Sequence, residues 1–121
     1  MSTIDEALTR ILQLDGALGA SVVDSSSGMM LGAKGAGGTF SLEVAAAGNT
    51  DVVRAKRKTL ETLGLEDAIE DILITLGRQY HLIRLIRSSP SLFIYVVMDR
   101  ERGNLAMARH VLGTVESSLQ L

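Results

Sequence analysis

The sequence predicts an α+β domain: one five-stranded antiparallel sheet with helices on its faces, in the order α-β-β-α-β-β-β-α. Three observations lead there. Three segments carry apolar residues at steps of three and four, the spacing of an amphipathic helix. Three short runs rich in Ile, Val and Tyr, and a shorter hairpin ahead of them around a Ser and Gly turn, read as strands. The links between successive strands are only a few residues long, which requires antiparallel neighbours. The 121 residues suit one domain with one core, expected across residues 1–121. A single sheet covered by helices buries every apolar stripe.

The first helix opens on Thr3-Ile4-Asp5-Glu6, a capping-box pattern. Ile4, Ala7, Leu8, Ile11 and Leu14 form its stripe, and Gly16 is expected to end it. Two short strands follow, with Ala20, Val22 and Val23 in the first and Met29 to Ala33 in the second. Asp24 to Gly28 turns between them. The long helix runs from an N-cap at Ser41 to Gly64, with Leu42, Ala45, Val52, Leu60 and Leu63 expected on one face. Gly48-Asn49 lies in its middle. A glycine there costs about 1 kcal/mol against Ala, and reads either as tolerance, as a local break, or as room for another backbone. Then come three strands, "AIEDILITL", "YHLIRLIR" and "SLFIYVVMD". The last helix is capped by Asn104, and Leu105, Ala108, Leu112, Val115 and Leu119 make its stripe.

Composition excludes several functions. The formal net charge is -2 and aromatics are 3% of residues, so neither charge nor stacking platforms recruit nucleic acid. Cysteine is absent, which removes disulfides, thiol nucleophiles and Cys-based zinc sites. "MSTIDEALTRILQL" has no basic leader ahead of an apolar run, and no stretch reaches the ~20 apolar residues of a membrane span. A cytoplasmic protein without membrane insertion is expected.

No catalytic constellation emerges. In "SSSGMMLGAKGAGG" (Ser25 to Gly38) Lys34 lacks a following Ser or Thr, so the P-loop pattern fails. Phe40 stands where the dinucleotide fingerprint needs glycine. "DSSSG" lacks the first glycine of a nucleophile elbow. His81 and His110 show no partner by spacing, and two histidines make a poor metal site. Glu70 and Asp71 are adjacent on a strand and so face opposite ways. No catalytic residue, metal site or cofactor is expected. The run "RAKRK" clusters Arg54, Arg57 and Lys58 on a helix. It is either a solvated face or a docking patch for an acidic partner.

The element order, "GASVVDSSSGMMLGAKG" ahead of a long helix, and "ILITLGRQYHLIRLI…LFIYVVMDRERGNLAMARHVL" resemble the roadblock family. The likeness spans nearly the whole chain. Val22-Val23-Asp24, Gly28 and Leu92 to Leu112 carry most of it, with Asn104 to Arg109 similar to the family's start of its last helix. The resemblance implies a profilin-like sheet with the central helix on one face and the terminal helices on the other. It implies dimers, expected here as a homodimer, in which the edge strand after the central helix pairs with its copy and the central helices lie side by side. Ala45, Gly48, Asn49, Val52, Ile72 and Ile74 are then the expected interface. Gly48-Asn49 departs from the family's more continuous apolar helix, and Lys56 falls on or near its stripe. The family's bacterial members regulate Ras-like small GTPases, some as activators of hydrolysis, by reshaping the GTPase rather than by inserting an arginine. The resemblance thus implies a non-catalytic regulator or scaffold whose partner is a Ras-like GTPase, with Arg54, Arg57 and Lys58 as docking residues. The alternative is a structural adaptor subunit with no GTPase partner.

Overall fold

The computed structural model describes residues 2–37 and 40–121. Eight elements form in the expected order: α1 (Ile4–Ile11), β1 (Ala17–Asp24), β2 (Met29–Gly35), α2 (Leu42–Thr62), β3 (Asp71–Thr75), β4 (Gln79–Leu85), β5 (Leu92–Asp99) and α3 (Leu105–Ser118). Gly38 and Thr39, in the expected crossing to the central helix, lie outside the described residues.

The strands join into one antiparallel sheet, ordered β2-β1-β5-β4-β3. The run from Leu92 to Met98 is buried throughout, because β5 is central and covered on both faces. Alternation assigns each residue to a side. Ala20, Val22, Leu82, Ile94, Val96 and Met98 pack with Leu8 and Ile11 of α1 and Leu112 and Val115 of α3. Val23, Ile83, Phe93, Tyr95 and Val97 pack with Leu42, Ala46 and Val53 of α2. The helices therefore divide between the faces as the resemblance implies.

The caps fix the helix starts. Thr3 Oγ1 accepts from the Glu6 amide at 3.2 Å, and Glu6 Oε1 accepts from the Thr3 amide at 3.0 Å. Ser41 caps Val44, and Asn104 caps Met107 at 3.0 Å. α1 closes at Ile11, earlier than Gly16, which sits in the turn into β1. Gly16 has φ of +82°, and a Cβ there would lie 2.8 Å from the Gly103 amide nitrogen. That close approach is what requires glycine.

Two strand boundaries and one helix face differ from expectation. β2 extends to Gly35, and β3 is cut to Asp71–Thr75 from the expected Ala68 to Leu76. α2 runs unbroken through Gly48-Asn49 with a different inward stripe: Leu42, Ala46, Asn49, Thr50 and Val53. Val52 and Leu63, expected on the packed face, are 37% and 64% exposed. Apolar periodicity misplaces this face because two of its members are polar. Thr50 can be buried because its hydroxyl donates to the Ala46 carbonyl at 2.8 Å.

A charged clamp ties α3 to the sheet. Glu116 Oε1 accepts from Arg84 at 3.3 Å, and its Oε2 accepts from the Arg87 amide at 3.3 Å. Arg84 also lies 4.0 Å from Asp71, which accepts from Arg109 Nε at 3.1 Å. Removing one carboxylate leaves a nearly buried guanidinium short of a partner. Glu116→Ala should cost about 2 to 3 kcal/mol, read as a lower urea midpoint with unchanged helix content. A loss below about 0.5 kcal/mol, the scale of a surface pair, would contradict this account of the clamp.

A candidate interaction face beside the open edge strand

β3 is the sheet's outer edge, and its backbone is half unpaired. Leu85 N–H donates to the Glu70 carbonyl, and Leu76 N–H to the Gln79 carbonyl. Antiparallel bonding alternates, so Ile72 and Ile74 also bond toward β4. Asp71, Leu73 and Thr75 aim their N–H and C=O groups at open space. The side chains of Ile72 and Ile74 stand opposite Ile83 and His81, on the face that carries α2. α2, however, lies over β1 and β2, so this end of the face is only half covered.

The flank of α2 above that shelf is made of small or short side chains. Ala45, Gly48, Val52, Ala55 and Thr59 step along it by three and four. A Cβ on Gly48 would meet nothing within 4 Å, so no group among the described residues explains the glycine. Val44, beside this flank, is 73% exposed. Lys56 is exposed near the same stripe.

The expected interface residues thus separate. Ala45, Gly48, Val52, Ile72 and Ile74 border one continuous open face. Asn49 does not: it is buried on the inward face of α2, where it opposes the upward shift of the Tyr95 hydroxyl. The basic cluster separates as well. Arg54 donates to the Ser26 carbonyl at 2.8 Å, and Arg57 donates to the Pro90 carbonyl and to Ser25 Oγ. Both pin α2 to neighbouring turns, while Lys58 is exposed. Ser25 is itself buried and donates to the Ser91 carbonyl at 2.6 Å. The serine run is therefore a structural turn, and Lys34 of the glycine stretch is 3.1 Å from Asp5.

Sequence reading missed one cluster on this face. His81 Nδ1 lies 3.1 Å from the Tyr95 hydroxyl and Nε2 lies 2.9 Å from Gln79 Oε1. Phe40 and Tyr95 meet the imidazole edge-on, at 6.0 and 5.6 Å between centroids. A neutral ring satisfies both contacts, Nε2–H donating to Gln79 and Nδ1 accepting from Tyr95. Burial holds the His81 pKa below its ordinary value. Burial also pushes Tyr95 up to about 12, against the opposing effect of Asn49. The alternation of β4 put His81 and Gln79 on this face, but the two aromatic partners come from β5 and from a loop remote in sequence. Among the described residues, no group of three His, Asp or Glu could hold a metal ion, and no helix is long and apolar enough to cross a membrane.

No protein-family model and no curated protein matches the chain. Solved structures do. The Roadblock/LC7 domain from Streptomyces avermitilis aligns with a TM-score of 0.82 at 15% identity, covering 97% of this chain and 94% of that one. Myxococcus xanthus MglB aligns at 0.82 and 15% identity, over 94% and 89%. An MglB described as having a tetrameric arrangement aligns at 0.81 and 18% identity, over 95% and 83%. This is the roadblock fold. In roadblock terms, the open face lies on the central helix and on the strand that follows it.

The His81 pKa shift has a direct consequence. The unfolded chain takes up the His81 proton at higher pH than the folded chain does. The stability from a neutral His81 is full above the ordinary histidine value and is lost as pH falls toward the folded value. Between about pH 7 and pH 5, the range around an ordinary histidine, the urea midpoint should fall. His81→Gln should flatten that slope. Equal slopes in both proteins would contradict this.

Proposed function

We propose that this chain is a non-catalytic regulatory domain that pairs with a second copy through β3 and the outer flank of α2, and that the pair docks a Ras-like small GTPase. The contrast between the two sheet edges carries the reading. β2 is defended: its pairing breaks at a bulge between Val22 and Val23, and Lys34 lies along it. β3 has no bulge, lysine or proline, and presents Ile72, Leu73 and Ile74. An apolar edge left bare invites association, and two-fold pairing satisfies its backbone without leaving an end open. The small residues around Gly48 let a second helix approach. The tetrameric arrangement of a similar MglB structure supports self-association. The small-GTPase partner rests on the resemblance to bacterial roadblock regulators, with Lys58 the exposed member of the Arg54, Arg57 and Lys58 set that pins no turn.

A lysine in place of Ile74 puts a charge into the shared apolar face, so the variant should run as a monomer in light scattering where the wild type runs as a dimer. An intact dimer of Ile74→Lys would place the interface elsewhere. For the partner, the chain is mixed with the small GTPase encoded nearest to it, and complex formation and GTP hydrolysis are followed. Binding to one nucleotide state is expected. No complex with either state would remove the GTPase reading and leave that of a structural adaptor.

A further inference from the structure

This inference rests on the self-association just proposed. β3 runs from Asp71 to Thr75, and its outward backbone groups belong to Asp71, Leu73 and Thr75. A two-fold pairing that engages all three is centred on Leu73, with Asp71 facing Thr75 of the second copy and Ile72 facing Ile74. Beyond the strand, the geometry brings two dissimilar segments together. Glu70 faces Leu76 of the copy, and the acidic segment before it runs past the copy's β3–β4 turn, alongside Arg78. Shifting the register by two residues in either direction still sets Arg78 against the span 66–70.

The two segments differ in charge. Glu66 and Asp67 are exposed, with Asp67 capping its neighbour's amide at 2.9 Å and Glu70 paired to Arg87 at 3.0 Å. At the other end of β3, Arg78 is exposed in the turn. The Arg100 amide donates to the Arg78 carbonyl at 3.0 Å, and the Arg100 guanidinium donates to the Leu76 carbonyl at 3.0 Å. Arg100 also lies 5.5 Å over the Tyr80 ring. These contacts hold the Arg100 guanidinium and the Arg78 backbone on the rim of a cleft of about 590 Å³ that includes Leu18, while the Arg78 side chain is exposed there. Glu101 is also on that rim, while Asp99 is engaged by Arg102 at 3.4 Å.

We infer that each end of the two-fold interface is closed by an electrostatic clamp, in which Glu66 and Asp67 of one copy meet Arg78 and Arg100 of the other. The clamp works twice per dimer and tolerates a two-residue slide of β3, so it strengthens and orients the pairing without choosing the register. Because it lies on a solvated rim, it is screened by salt and sets specificity and encounter rate.

Charge reversal tests it by sedimentation equilibrium at low and high salt. Arg78→Glu, and separately the pair Glu66→Lys with Asp67→Lys, should each weaken the dimer about tenfold at low salt, two modest ion pairs being lost and replaced by repulsion. Combining the three substitutions should restore most of the affinity. High salt should shrink all the differences. A dimer indifferent to both reversals, or one that the combination does not rescue, would overturn the clamp while leaving self-association standing. A wild-type chain that stays monomeric would overturn both.

Discussion

The burial of β5 on both faces is the constraint on which the rest of the structure depends. Leu92 through Met98 carry apolar side chains toward both layers, so neither face of the sheet can be left to water. At about 25 cal/mol per Å² of apolar surface, this strand needs a cover on each side. α1 and α3 supply one, and α2 supplies the other. The placement of the helices then follows, and so does the surplus. α2 lies over β1 and β2 and leaves the β3 end of its face half covered, with Ile72, Ile74 and His81 on the sheet beside the small-residue flank of α2.

That surplus connects fold to function. Both edges of an open sheet expose unpaired backbone, but only β2 carries devices that discourage pairing. The Arg109–Asp71–Arg84–Glu116 network holds α3 against the opposite face of β3 and β4. It stiffens the edge strand from behind while its front stays open. A rigid, apolar, undefended edge beside a helix flank with room for another backbone is suited to a second copy of the same surface. The pins from Arg54 and Arg57 to the Ser26 and Pro90 carbonyls keep α2 in place over β1 and β2.

Much of this was legible in the sequence, for identifiable reasons. Thr3 and Asn104 sit at caps set by local chemistry, and the inward stripe of α3 is apolar except for Glu116, so periodicity located both. β5 reads as a continuous apolar run because both its faces are inside. The inward face of α2 was not legible. Asn49 and Thr50 occupy it, buried by contacts with Tyr95 and with the preceding turn that no spacing rule reveals. The same limit applies to Arg54 and Arg57, which look like a docking patch until their acceptors, 28 and 33 positions away, come into view. Ala45, Gly48, Val52, Ile72 and Ile74 were legible as a set only through the family resemblance, since nothing local relates a helix flank to an edge strand.

The central claim is that β3 pairs with β3 of a second copy. Residue-resolved hydrogen exchange of the Leu73 amide tests it most directly, because that N–H points away from β4 and has no acceptor among the described residues. The account predicts slow exchange at concentrations where the protein is a dimer, and a rise to the rate of an open strand edge as dilution separates the copies. Fast exchange at Leu73 in a sample that is demonstrably dimeric would contradict it.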